Sequence, residues 1–306
     1  MTVHVDAREA AQMVLHAKIR VPARPGPLTL VYPKWIPGDH GPTGNVADIM
    51  GLRISAGGKS LPWRRDPERT SEFAVNVPAG SNAVDVDLDV VVETRFGATA
   101  GASDLNWHRV VLYPKGARPR DLQVEARADI PPDWRYATPL SVASEGGGTL
   151  TFKPVSLEML VDSPVILGRY GRSIDLGTAL GAPHSMELVA ETEDALAVNE
   201  KQIAAYRALV GEAAALFGAR HYDRYTFLYL LSSAVEDGSG FEHHRSSLDV
   251  APASIFSKED DFRSARWLLA HEFAHSWNGK YRRPKGTPHS TTKSRCTTSC
   301  SGFTKG

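Results

Sequence analysis

Leu268-Leu269-Ala270-His271-Glu272-Phe273-Ala274-His275-Ser276-Trp277-Asn278-Gly279 is the stretch on which the reading of this chain turns. Two histidines four residues apart on a helix point the same way, because about 3.6 residues make a turn. A Zn²⁺ ion fits between two such imidazoles at about 2.0–2.1 Å from each nitrogen. Glu272, one residue along from His271, reaches an activated water without being a ligand itself. That is the H-E-x-x-H arrangement: His271 and His275 as metal ligands, Glu272 as general base.

The surroundings support a helix. From Phe262 to Trp277 the residues Phe262, Ala265, Leu269 and Phe273 fall near one stripe, as a packed helix requires. Trp267 and Leu268 lie on the other side, flanking the histidines, so that side is expected to be covered as well. Asp260 or Asp261 is the expected cap, and Gly279 the stop, followed by the basic run from Lys280 to Arg283. Two histidines and a glutamate on an otherwise apolar helix are costly to bury unless they have a task.

The 306 residues allow two domains, and 42% apolar with 23% charged residues is ordinary for a water-soluble globular chain. A net charge of zero gives no sign of a nucleic-acid or anionic-membrane partner. No apolar run approaches the roughly 18–20 residues of a membrane span. Met1-Thr2-Val3-His4-Val5-Asp6 lacks the basic and apolar regions of a secretion signal and reads as the interior of a first strand. The compartment is therefore open: cytoplasmic as written, periplasmic or secreted if a leader preceded it. The two cysteines, Cys296 and Cys300, make no disulfide framework.

The fold class expected is α+β, with a β-rich part over residues 1–175 and a catalytic part over 176–306. The first part is written in short apolar or alternating runs: Met13 to Val21, Leu28 to Tyr32, Phe73 to Val77, Val84 to Val92, Val110 to Tyr113, Val124 to Ile130 and Thr149 to Phe152. Val84-Asp85-Val86-Asp87-Leu88-Asp89-Val90 alternates with period two, so one face is buried and the acidic one is wet. Many short strands with turn signals argue a β-sandwich-like domain. Within it, Tyr32 to Gly44 carries three prolines and three glycines, a rigid irregular loop. Its Trp35 and His40 either face a ligand or neighbouring domain, or pack on the sheet. Farther on, Glu191 to Phe217 has helical spacing, with Thr192 or Asp194 as cap and Gly218 as stop. Tyr225 to Leu231 is a continuous apolar run, hence a buried strand.

At the helix end the match becomes specific. His271-Glu272-Phe273-Ala274-His275-Ser276-Trp277-Asn278-Gly279-Lys280-Tyr281-Arg282-Arg283-Pro284 resembles the signature of the glycyl aminopeptidase family of zinc peptidases, in which H-E-x-x-H runs on into W-N-x-K and R-P. Pro33-Lys34-Trp35-Ile36-Pro37-Gly38 resembles a segment of that family's N-terminal β-domain, and Gly240-Phe241-Glu242-His243 its G-x-E-H strand-edge motif. The resemblance implies a thermolysin-like, mostly helical catalytic domain after the β-domain, here incomplete, and usually a PDZ-like domain beyond. It implies Zn²⁺ as cofactor, a peptide with a free N-terminus as partner, and release of small N-terminal residues, Gly or Ala. Glu242 would bind the substrate's α-ammonium, with Gly240 and Phe241 lining the cleft through backbone polar groups. A carboxylate fixed relative to the metal is what an aminopeptidase needs to measure off one residue. The alternatives are a non-catalytic peptide-binding module, whose binding would persist without zinc, and a zinc endopeptidase, which would cleave N-terminally blocked peptides. His243 and His244 are the other candidate ligands.

The tail departs from the family pattern. The third ligand there is the glutamate of an E-G-[LF]-T motif, whereas Ser301 precedes Gly302-Phe303-Thr304 here, and serine is no substitute. After Pro288 no carboxylate and no apolar helical pattern follow. Residues 289–306 are therefore expected to be an aberrant tail in a shifted reading frame, with zinc held weakly by the chain as it stands. Codons straddling neighbours from Thr297 onward permit Asp-Leu-Leu-Leu-Trp-Val-Tyr-Glu-Gly, similar to the family's third-ligand segment.

Overall fold

A computed structural model describes residues 1–282. The tail expected to be aberrant lies outside the described residues. The first part is β-rich, as expected. Thr2–Asp6 sits inside a nine-stranded sheet, parallel to Gln123–Asp129 and antiparallel to Val14–Pro22, which in turn pairs with Ala83–Val91. The acidic alternation reads out as anticipated: Val84, Val86, Leu88 and Val90 are buried, while the aspartates face out. Across the strand pair Asp85 meets Arg20 at 2.7 Å and Asp89 meets His16 at 2.7 Å, hydrogen-bonding partners at opposed positions. A four-stranded sheet of Tyr113–Pro114, Gly26–Val31, Glu72–Val77 and Trp63–Arg65 shares the same core through Leu30, Phe73 and Val75.

Val110 to Tyr113 is not the strand expected. Trp107–Val110 forms a buried 3₁₀ turn, and only Tyr113–Pro114 pairs with a strand. The valines serve burial, which β-propensity reflects more than any backbone preference. A short helix, Leu157–Val161, starts where the Ser156 hydroxyl accepts from the Met159 N–H at 3.1 Å and ends at Asp162.

Beyond it lies a five-stranded sheet rather than a mostly helical region. Its order is Tyr170–Ala179, Ala182–Ala190, Tyr225–Ser232, Ser246–Pro252 and Ser239–Glu242. The three middle strands run parallel and the two edges antiparallel. The helix Glu200–Phe217 makes the crossover into Tyr225–Ser232. Its cap is Asn199, not Thr192 or Asp194: Asn199 and Gln202 bond reciprocally as a capping box, and Asp194–Leu196 is a separate 3₁₀ turn. Gly218 ends the helix in the left-handed region, as expected.

Tyr225–Ser232 reads as unbroken apolar sequence because it is buried on both faces. Tyr225, Phe227, Tyr229 and Leu231 pack under the helices, and Leu228 and Leu230 pack on Ala102, Ala137 and Ile166 of the first part. The histidine-bearing helix is two helices, Glu259–Ala265 and Trp267–His275. Asp260 and Asp261 lie within the first turn instead of capping it, where they still favour the helix dipole. Phe262, Leu269 and Phe273 bury as the stripe predicted, but Trp267 is 59% exposed rather than covered. Among the described residues no helix is long and apolar enough to cross a membrane.

Candidate functional site

Helical spacing brings the Nε2 atoms of His271 and His275 to 3.1 Å from each other. Two ligands of a tetrahedral zinc stand about 3.3–3.4 Å apart when each is about 2.0–2.1 Å from the ion, so this pair nearly has the required spacing. Nδ1 of His275 donates to the Asn278 carbonyl at 2.9 Å. A carbonyl accepts only, so the proton stays on Nδ1 and the lone pair of Nε2 faces the cleft, the state a metal ligand needs. Imidazole donors suit zinc, and the Glu272 carboxylate stands beside the pair: one donor atom from each of His271, Glu272 and His275 lies within 4.8 Å of the others.

Glu272 is buried on the same helix, pressed against the edge strand. A Cβ at Gly240 would lie 2.5 Å from Glu272 Cγ and 2.6 Å from its Cδ, so only glycine lets the strand approach. Burial pushes the Glu272 carboxyl up to about 7, the nearby Glu242 charge adds to this, and His275 opposes it. A carboxylate tuned near neutrality is suited to take and return a proton. Glu242, nearly buried at the end of the strand Ser239–Glu242, faces the same cleft, which Gly38, Asp39, His40, Gly240, His271, Glu272 and His275 complete. Phe241, by strand alternation, points away toward Phe96, Ile36 and Pro37.

The loop of residues 33–44 turns out to be part of this site. Gly38, at φ +76°, is seated where a Cβ would meet Phe241 Cβ at 2.6 Å and the Glu242 nitrogen at 3.1 Å. His40 follows, with Nε2 3.4 Å from Glu242 Oε1 and its ring edge-on to His275 at 5.9 Å between centroids. His243 and His244 are not brought to the cleft. His243 turns to Asp162, with Nδ1 at 3.3 Å from Oδ1, and His244 donates its backbone N–H to Asp162 Oδ2 at 2.7 Å.

Asp162 is the residue that sequence reasoning missed. Its Oδ1 also accepts from Lys280 Nζ at 2.6 Å, and all three side chains are buried. Burial by itself would raise this carboxyl, but the Lys280 charge and the His243 hydrogen bond outweigh it and hold it below the ordinary carboxylate range. One buried carboxylate thus ties the first part of the chain to the strand edge carrying Glu242 and to the segment just after His275. The helix end is further fixed by Ser276 Oγ, which donates to the His244 carbonyl at 3.0 Å, and by Trp277 Nε1, which donates to the Ala219 carbonyl at 2.7 Å. The available signal for this role was Lys280, the first cation of the basic run after the histidines, in a recognisable segment.

A family profile described as the Peptidase M61 N-terminal domain matches residues 2–169, and one described as M61 glycyl aminopeptidase matches residues 264–303. No curated protein sequence matches the chain. Among solved structures it is similar to the aminopeptidase N family protein from Idiomarina loihiensis, with a TM-score of 0.77 and 20% identity over 93% of this chain and 49% of that one. It is also similar to the M1 zinc metallopeptidase from Deinococcus radiodurans, with a TM-score of 0.50 and 17% identity over 91% of this chain and 63% of that one. A mutant form of the latter is described as bound to a Tyr-Ser-Ala substrate. Legionella pneumophila aminopeptidase A, in complex with aspartic acid, matches with a TM-score of 0.55 and 10% identity over 90% of this chain and 34% of that one. The chain thus spans 49% and 63% of the first two of these structures. At these identities the likeness is one of fold.

Proposed function

The chain belongs to peptidase family M61, the glycyl aminopeptidases, and from that premise we propose that its cleft is the hydrolytic site of a zinc aminopeptidase releasing small N-terminal residues, Gly or Ala, from peptides. The observation that carries this is the convergence of the two Nε2 atoms, 3.1 Å apart, on one cleft with Glu272 and Glu242. We take residues 1–175 as the β-domain and the following sheet and helices as part of a thermolysin-like catalytic domain.

His271 and His275 would hold the zinc, which when bound supplies Lewis-acid polarisation of the scissile carbonyl. Glu272 takes the proton from the attacking water and returns it to the leaving amine. Gly240 sets how far the Glu272 carboxylate stands from the edge strand. Glu242 receives the substrate's α-ammonium, so that the first peptide bond, and not a later one, reaches the reacting groups. That assignment separates an aminopeptidase from an endopeptidase, for which an anionic anchor at this place has no ammonium to meet.

Ser301 stands where the family has its third ligand, which leaves two histidines where a catalytic zinc takes three protein ligands. The test is therefore hydrolysis of glycyl and alanyl peptides, free and N-acetylated, by a zinc-supplied version in which the family's third-ligand segment is restored. Activity confined to free amines, and lowered several orders of magnitude in kcat by Glu272→Gln with zinc still bound, is the expected result. Cleavage of acetylated peptides would replace the reading with an endopeptidase. Zinc-independent peptide binding without hydrolysis would replace it with a binding module.

A further inference from the structure

Arg109 carries a charge that the surrounding fold does not match. The 3₁₀ turn Trp107–Val110 takes it inward until only 6% of its surface is exposed. Its guanidinium carbon lies 4.7 Å from the centre of the Phe96 ring, a cation–π contact that steadies it without a counter-charge. Nη1 is buried with no hydrogen bond, and among the described residues no carboxylate forms an ion pair with the group. A buried charge left in that state is costly unless something pairs with it.

Beside the guanidinium is a cavity of about 60 Å³, walled on its apolar side by Phe96, Phe241, Leu248 and Val250. One water needs about 10–15 Å³ by the same measure, so the cavity takes a body of a few atoms. Asp104, His108 and His243 line it together with Arg109, and Asp104 Oδ1 and His243 Nε2 are likewise buried without partners. These neighbours do not cancel the guanidinium. Burial pushes the Asp104 carboxyl up, against the pull of Arg109, and the Glu93 charge adds to the rise. Its Oδ2 accepts from Asn106, which leaves Oδ1 to donate when the acid is neutral. Burial, with the Arg109 charge next, holds His108 down at about 3, so its imidazole is neutral. Asp39, the other acid of the lining, has its carboxylate engaged by the His40 N–H at 2.8 Å and by the Thr43 hydroxyl.

We propose that this cavity binds a small anion, a halide or a short carboxylate, which pairs with the Arg109 guanidinium between Phe96 and Phe241. The guanidinium N–H groups suit such a partner, and a charge-assisted bond to it supplies what Nη1 lacks. The occupant lies between the 3₁₀ turn, the loop of residues 33–44 and the strand Ser239–Glu242, on the side of Phe241 away from the histidine pair. The inference does not depend on the hydrolytic reading.

The experiment is thermal unfolding of the full 306-residue chain in sodium chloride or sodium acetate, each exchanged at constant ionic strength for gluconate, whose bulk the cavity does not hold. A ligand of the folded state raises the midpoint, by about 2–4 °C at roughly ten times its Kd. At least one of the two anions should do so, and the one acting at the lower concentration identifies the occupant as halide or carboxylate. Arg109→Met, which keeps an apolar stem and removes the charge, should abolish the effect. A midpoint indifferent to both anions, or equally responsive in Arg109→Met, would overturn the proposal. If that variant does not fold, crystals of the parent grown with bromide or bromoacetate, matched to the active anion, decide instead. An anomalous peak beside Arg109 upholds the site, and a cavity without one overturns it.

Discussion

Replacing Asp162 by Asn removes a charge while keeping the shape of the side chain, which isolates the electrostatic part of its role. In the parent protein Lys280 Nζ lies 2.6 Å from Asp162 Oδ1, with side-chain exposures of 5% and 10%. The asparagine carbonyl still accepts from the His244 N–H, so the main change is an ammonium left buried without its counter-charge. Breaking a buried pair from one side costs about 3–5 kcal/mol, far above the about 0–1 kcal/mol of an exposed pair. Chemical denaturation at neutral pH, followed by tryptophan fluorescence, should show a loss in that range. The double variant Asp162→Asn with Lys280→Met should regain a good part of it, because the unpaired charge is gone. The folded-state pKa of Asp162 is depressed, so its contribution is fully present above the ordinary carboxylate value of about 3.9. That contribution is lost as pH falls through the lower folded value, and the parent should lose stability on acidification more steeply than the Asn variant. A loss below about 1 kcal/mol, with no difference in acid sensitivity, would refute the reasoning and make Asp162 an ordinary capping residue.

Glu242→Ala, assayed at saturating zinc, should lower kcat/KM for free-amine peptides at least about tenfold, since a desolvated carboxylate–ammonium contact is at stake. Unchanged kinetics would remove Glu242 from substrate binding. Gly240→Ala puts a Cβ 2.5 Å from Glu272 Cγ, so Glu272 or the strand must move; kcat should fall by about tenfold or more, with a stability loss of about 1–3 kcal/mol from the overpacking. A normal kcat would mean that the carboxylate does not need this seat.

Much of the fold was legible where one physical pattern dominates. The Val84 to Val90 alternation is the pleat of a half-buried strand, and the residues before Gly218 are a helix with its stop. The hairpin of Tyr170–Ala179 and Ala182–Ala190 was missed because the first strand is mostly exposed and offers little apolar signal. At Val110 to Tyr113 the same β-branched residues serve a buried turn. The helix carrying His271 and His275 was plain from local spacing, which four residues suffice to encode. Asp162 and His40 were not, because their meaning lies in contacts with Lys280 and Glu242, far along the chain, and no periodicity records such a meeting.

The seating of Gly38 against Phe241 and Glu242 has a temporal side. During synthesis the loop of residues 33–44 emerges early, and the strand and helix it faces come only near the end of the described chain. The early segment must wait without its partners, its prolines limiting the conformations it can stray into. The cleft cannot exist until the last of its walls has left the ribosome and docked. Whatever chemistry the walls perform is therefore withheld from the nascent chain and from any partly folded species, so the order of synthesis acts as a safety catch.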